Sequence, residues 1–301
     1  MAATEREAVR QPQPPHALPL QLAAPGAAAA RARSENFPVA MGLLPRRLRE
    51  DLLALYAFAR LVDDLGDESA GDRLALLDEL DDQLTSMAGG SATHPVVIAI
   101  GRTVRRHGLG LGPFRRLVAA NRQDQAIRRY ATFDDLLQYC TLSANPVGEV
   151  VLGVFGHATP ERVAWSDSVC SSLQVIEHLQ DVGEDFARGR IYLPTEDLAL
   201  FGVAEAALAE SRAQPALRRL VAWEAARAVE LLAPGPALVS SLSGWGRVAV
   251  AGFVGGGRAT LESLARCGYD SLSQHPGPVR STIARHTLSL LVTPGQRWSP
   301  L

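Results

Sequence analysis

From about Ser34 to Leu264 apolar residues recur at three- and four-residue spacings, and almost no stretch alternates at period two. This pattern predicts an all-α bundle. Short Gly, Pro or Asp breaks separate helices expected over 47–66, 70–88, 94–107, 113–129, 134–155, 160–187, 204–233 and 245–266. Pro194, after Ile191-Tyr192-Leu193, closes the exit of the sixth helix. Pro146 falls inside the fifth pattern, where it removes one helical hydrogen bond and bends the axis. Beside it, small Ser143, Ala144 and Gly148 either widen a cavity or accompany a packing kink. Residues 1–30 hold QPQPPH and an alanine run without a signal-peptide core or an amphipathic period, and read as a disordered leader. Residues 31–270 then form one helical domain, and the Pro-containing stretch 271–301 is expected to be a partly ordered tail.

Composition narrows the function more than the fold. With 301 residues, 47% of them hydrophobic, the chain can bury one large core. A formal net charge of -2 offers no basic field for nucleic acid or an acidic membrane. Cys140, Cys170 and Cys267 are odd in number and lack a CxxC spacing, which argues against a disulfide framework or a thiolate zinc site and suits a reducing cytoplasm. No run approaches the ~20 apolar residues of a membrane span. A soluble protein, at most peripheral to the inner face of a membrane, is expected.

Two helices carry the chemistry. Tyr56, Arg60, Asp63 and Asp67 follow one another at +4, +3 and +4 and share one face of an otherwise apolar helix. Gln174, Glu177, Asp181 and Asp185 repeat the arrangement at +3, +4 and +4 beside Leu173, Ile176, Leu179 and Val182. Like charges ~4 Å apart repel by ~4 kcal/mol at an effective dielectric near 20, so a cation belongs between such stripes. Oxygen ligands without matching His or Cys select a hard ion, and Mg2+ is held by few carboxylates when phosphate oxygens complete its shell. A diphosphate is the natural third party. Arg60, Arg188 and Arg190 supply guanidinium forks for its oxygens, although a plain salt bridge explains Arg188 as well. Asp78, Glu79, Asp81 and Asp82 are as acidic but sit beside Gln83, Thr85 and Ser86, and should form a solvated face.

The segments YAFARLVDDLGDE (56–68) and LQDVGEDFARGRIYLP (179–194), with YCTLSANPVGEV (139–150) between them, resemble the two aspartate-rich motifs of the squalene/phytoene synthase family. The resemblance implies a helical isoprenoid-synthase bundle with a central cavity. It implies that Asp63, Asp67, Asp181 and Asp185 hold Mg2+, and that Tyr56, Arg60, Gln174 and Arg190 surround the diphosphate. SENFPVA (34–40), SANPVG (143–148) and GFVGGGRATLESL (252–264) are similar to bacterial hydroxysqualene synthases of hopanoid pathways, the HpnC type. That likeness implies presqualene diphosphate and water as substrates and hydroxysqualene as product, without a nicotinamide. A presqualene diphosphate synthase and a flavin-dependent hydroxysqualene reductase would then be pathway partners.

The second motif departs from the family where Glu177 replaces the usual Asn and Gln180 the usual Arg. Glu177 is expected either to tune the site for termination by water or to pair with a nearby base. Tyr139 either orients the leaving diphosphate or a proton, or is a buried tyrosine with a satisfied hydroxyl. The glycines of GFVGGGR lack the strand and GKS or GKT of a phosphate loop and are read as close helix packing. His178 is turned ~100° from Glu177 and is not counted as a ligand. Remaining alternatives are a complete squalene synthase, a phytoene synthase, and a non-catalytic assembly protein that would have no need of both acidic stripes.

Overall fold

A computed structural model describes residues 44–273, 275–293 and 298–300. The leader expected over 1–30 and the segment at 34–40 lie outside the described residues. The architecture is all-α, with one isolated parallel bridge, Arg129 to Ile191, as the only extended pairing among the described residues. Its helices are α1 (Arg46–Asp67), α2 (Arg73–Ala88), α3 (Pro95–His107), α4 (Gly112–Asp124), α5 (Phe133–Ser143), α6 (Asn145–Val154) and α7 (Pro160–Gln180). They continue with α8 (Val182–Ala187), α9 (Thr195–Phe201), a 3-10 turn (Glu205–Ala209), α10 (Pro215–Leu232), α11 (Gly235–Ser241), α12 (Gly244–Arg266) and α13 (Arg280–Val292).

Local chemistry sets several of these limits. Thr132 and Asp135 form a reciprocal capping box that starts α5. His94 precedes Pro95 at the start of α3, and Gly108 ends that helix in the left-handed conformation with φ 62°. Two apolar clusters result. Leu55, Phe58, Leu65, Leu77, Val97 and Phe114 lead one, built on α1 to α4, and Val150, Val151 and Val154 of α6 join it. Leu152, Ile176, Leu179, Leu217, Val221 and Val254 belong to the other, built on α5 to α12 with Ala120 of α4 and Leu290 of α13.

Four helix limits expected from the sequence are corrected. The helix over 134–155 is two helices, because the chain breaks at Ala144 (φ -112°, ψ -48°) and restarts with Pro146 in the first turn of α6, where its missing N–H costs nothing. The helix over 160–187 breaks at Asp181 (φ -102°, ψ 12°), since Asp181 and Gly183 are poor helix-interior residues. Residues 204–214 hold only the short 3-10 turn, and Pro215 opens α10. The expected helix over 113–129 stops at Asp124, and Arg129 instead pairs with the chain at Ile191. The stretch read as a tail contains α13, which packs along α12. A Cβ at Gly255 would lie 2.9 Å from the backbone N of Thr287 and 3.3 Å from the carbonyl of Ile283. Close helix packing is thus the role of that glycine.

Candidate functional site

Between the two clusters lies a cavity of about 750 Å3, within the range of small-molecule sites. Tyr56, Arg60 and Asp63 of α1 line it, as do Gln174, Glu177 and Gln180 of α7 and Asp181 at that helix's end. Apolar walls come from Leu55, Val151, Val169, Leu173, Ile176 and Phe253. The break at Pro146 opens onto the same space, where Ser143, Ala144 and Gly148 form part of the wall. Tyr56, Arg60 and Asp63 of one stripe, Gln174, Glu177 and Asp181 of the other, and the break between α5 and α6 therefore meet at one cavity, whereas Asp67, Asp185, Arg190 and Tyr139 lie outside its lining. Arg188 does not join them, since its side chain is exposed and absent from the lining.

Each carboxylate has a distinct environment. Asp63 is open to the cavity but ringed by protein, and desolvation pushes it up to about 6 against a hydrogen bond from Asn121 and the charge of Arg60. The Asn121 amide donates to it at 3.2 Å. That approach depends on Gly66, where a Cβ would stand 2.1 Å from the Asn121 Oδ1. Asp67 accepts from the Arg190 guanidinium at 2.6 Å, which ties the end of α1 to the segment after α8. Burial works against the charge of Arg190, yet that bond and neighbouring negative groups outweigh it and hold the guanidinium charged. Arg60 pairs with buried Asp64 at 2.8 Å while still lining the cavity.

On the second stripe, desolvation raises Asp181, and the His275 imidazole opposes the rise. The Asp181 Oδ1 is buried without a hydrogen-bond partner, although the His275 Nδ1 lies 3.2 Å away. That distance is close enough for charge attraction but lacks hydrogen-bond direction. Asp185 lies 3.7 Å from the His178 Nδ1. His178 stacks on Tyr192 with ring centroids 3.7 Å apart and approaches Gln174 at 3.3 Å through its Nε2. The sequence placed it off the Glu177 face but missed its approach to two other members of the stripe, Gln174 and Asp185.

Other residues escaped the sequence reading altogether. Asp124 at the end of α4 accepts the Tyr139 hydroxyl at 2.7 Å, and burial pushes it up to about 6 against that hydrogen bond and the charge of Arg190. Burial likewise holds the Tyr139 phenol well above its ordinary range. Tyr130, Tyr139, Tyr192 and His178 make one aromatic cluster around this pair. The tyrosine hydroxyl is satisfied, and by a carboxylate within electrostatic reach of Asp63 and Asp67. His275, Gly277 and Pro278 line the cavity from the stretch read as a tail. An i+3 spacing of Asn121 and Asp124 was the available signal for α4; nothing periodic marked 275–278.

These carboxylates suit a hard cation. Among the described residues no three His, Cys, Asp or Glu groups converge into a ready-made metal cage. What they offer is two desolvated aspartates in one cavity and a buried Asp181 oxygen without a hydrogen-bond donor. That donor set fits Mg2+, which takes few protein carboxylates and completes its shell with substrate oxygens and water.

Comparison with known proteins gives the family. The sequence pattern of the family described as squalene/phytoene synthase matches residues 30–285. The hydroxysqualene synthase of Zymomonas mobilis is 36% identical over 212 residues, 66% of this chain and 68% of that protein. A phytoene synthase from Arthrospira platensis is 35% identical over 210 residues, 65% of this chain and 68% of its own length. Among solved structures, squalene synthase HpnC from Alicyclobacillus acidocaldarius superposes with a TM-score of 0.75 at 41% identity, covering 81% of this chain and 94% of that one. A dehydrosqualene synthase in complex with ligand gives a TM-score of 0.80 at 26% identity, covering 89% and 95%.

Proposed function

Because the chain belongs to the squalene/phytoene synthase family, we propose that it converts presqualene diphosphate and water to hydroxysqualene and inorganic diphosphate. The observation that carries this reading is one cavity joining desolvated Asp63 and Asp181 to a long apolar wall. Asp63, Asp67, Asp181 and Asp185 would hold Mg2+, which supplies charge neutralisation of the leaving diphosphate. Arg60 and Arg190 orient diphosphate oxygens, and Tyr56 and Gln174 border the same space. The carbon–oxygen bond to diphosphate breaks, the electron pair leaves with that oxygen, and the hydrocarbon remains as a cation between walls of Leu, Val, Ile and Phe that exclude bulk water. One water then adds its oxygen to the cation and gives up a proton.

Glu177, which is exposed and lines the cavity, would accept that proton or orient the water. Tyr139 acts through Asp124 rather than as a free acid, because its hydroxyl is already donated. The condensation that makes the cyclopropane and the flavin-dependent reduction that follows belong to separate enzymes in this scheme.

Purified protein with presqualene diphosphate and Mg2+ should release diphosphate and yield hydroxysqualene by mass spectrometry, with no reductant added. Direct formation of squalene from farnesyl diphosphate and reduced nicotinamide would overturn the subfamily reading, as would phytoene from geranylgeranyl diphosphate. The likeness to the Arthrospira platensis enzyme makes phytoene the outcome to exclude first. An unchanged product and rate in Glu177→Asn would remove the proton role from that residue.

A further inference from the structure

We propose that residues 275–278 form a fixed wall whose function is to position Asp181, and that Gln180 and Ser263 are the residues that hold this wall in place. The proposal rests on the reading of Asp181 as a metal ligand. The segment follows a firmly anchored turn, in which Asp270 accepts from the backbone N–H groups of Ala213 at 2.8 Å and Ser273 at 3.2 Å and pairs with Arg218. Beyond it the chain crosses to the cavity and is pinned twice more. The buried Gln180 amide donates to the Pro276 carbonyl at 2.9 Å, and the Ser263 hydroxyl donates to the Gly277 carbonyl at 2.8 Å.

These two bonds hold consecutive carbonyls, of Pro276 and Gly277, between His275 and Pro278, and His275, Gly277 and Pro278 all line the cavity. The His275 Nδ1 then stands 3.2 Å from the Asp181 Oδ1, an oxygen without a hydrogen-bond partner among the described residues. Asp181 itself caps α7, so its backbone sits at a helix break and cannot fix the carboxylate as a helix interior would. Gln180 is its chain neighbour. One residue therefore anchors the wall and the next is steered by it. Proline at 276 and 278 narrows the backbone freedom that would otherwise blur the placement. Carboxylate ligands held by outer partners bind metal more tightly, and loss of such a partner costs 10–100-fold in affinity or activity.

The proposal makes His275 and Gln180 positioning residues on one path. Calorimetric titration of Mg2+ into the full-length protein with inorganic diphosphate present measures it without substrate turnover. We expect His275→Ala to weaken Mg2+ binding by about 10-fold while the melting temperature stays at the wild-type value. Gln180→Leu should lose a similar factor through the freed wall, and the Gln180→Leu/His275→Ala pair should be no weaker than the weaker single variant. Wild-type affinity in His275→Ala or fully additive losses in the pair would overturn the proposal. A wild-type protein that binds no Mg2+ with diphosphate would overturn the metal reading itself, and that failure is seen before any variant is made.

Discussion

The acidic run of α2 and the carboxylates of the cavity have the same composition and opposite circumstances. Asp78 and Asp81 meet Arg122 and Arg115 of α4 at 2.6 and 3.1 Å, with the Asp78 side chain 68% exposed. Water and a guanidinium satisfy them together. Asp63, open to the cavity but ringed by protein, and buried Asp124 are instead pushed up to about 6 by desolvation, and Asp181 is raised for the same reason. A carboxylate kept desolvated and under-compensated stores an affinity for cations that a solvated ion pair has already spent. Acid density alone therefore does not mark a site; enclosure with an incomplete set of partners does.

The largest effect follows from removing that stored charge. Asp63→Asn or Asp181→Asn should lower magnesium-dependent diphosphate release on the order of 10²–10³-fold, the equivalent of several kcal/mol of lost charge stabilisation. The helical circular dichroism signal should stay intact, and the melting temperature without metal should hold or rise, since the neutral amide relieves desolvation. Turnover at the wild-type rate in both variants would make the two regions alike after all. Next in size is Gly66→Ala. The added methyl meets Asn121, so overpacking should cost about 1–3 kcal/mol and displace the amide from Asp63. Denaturant unfolding together with Mg2+ titration separates the two losses, and an unchanged midpoint would show that α1 and α4 yield without strain.

Glu224 tests whether burial alone suffices. It lies 1% exposed on α10 beside Asp197 and Arg227, outside the cavity lining, and burial with the neighbouring Asp197 pushes it up to about 8. Because its folded value lies above the ordinary 4.5, its contribution to stability is fully present below pH about 4.5 and is lost as pH rises through about 8. Thermal melts should therefore fall over that window, and Glu224→Gln should flatten the fall and raise stability at the alkaline end by about 1–3 kcal/mol. Turnover should stay near wild type. A large loss of activity would mean that this acid, too, serves the reaction.

How much of this was legible in the sequence follows from what each signal encodes. Helical period is local, so the limits of α1, α3 and α12 emerged within a few residues. The facing of Asp63 and Asp181 onto one space followed from stripes on two otherwise apolar helices. The break at Asp181 was hidden because the apolar spacing of Leu179 and Val182 continues across it, although the backbone does not. Asp124 was hidden because its role comes from Tyr139 and Arg190, one of them 66 residues away. The wall at 275–278 carries no period at all: its two anchoring bonds are accepted by backbone carbonyls, which every residue has. Pairing through the main chain leaves no trace in side-chain pattern.

The smallest expected effect is the sharpest control. Asp78→Asn removes a charge from the α2 run and weakens its pair with Arg122, yet both partners keep access to solvent. Exposed pairs of this kind contribute about 0–1 kcal/mol, because water replaces much of what is lost and the long side chains regain freedom. Arg122 also retains Asp81, whose carboxylate lies 3.8 Å away. The midpoint of urea unfolding should therefore shift by no more than about 0.5 kcal/mol equivalent, with less shift at high salt, where screening has already weakened the pair. Mg2+ affinity and diphosphate release should match the wild type, since no cavity-lining group has moved. A loss approaching that of Asp63→Asn would place function on a solvated face, and enclosure would no longer be what separates the two acidic regions.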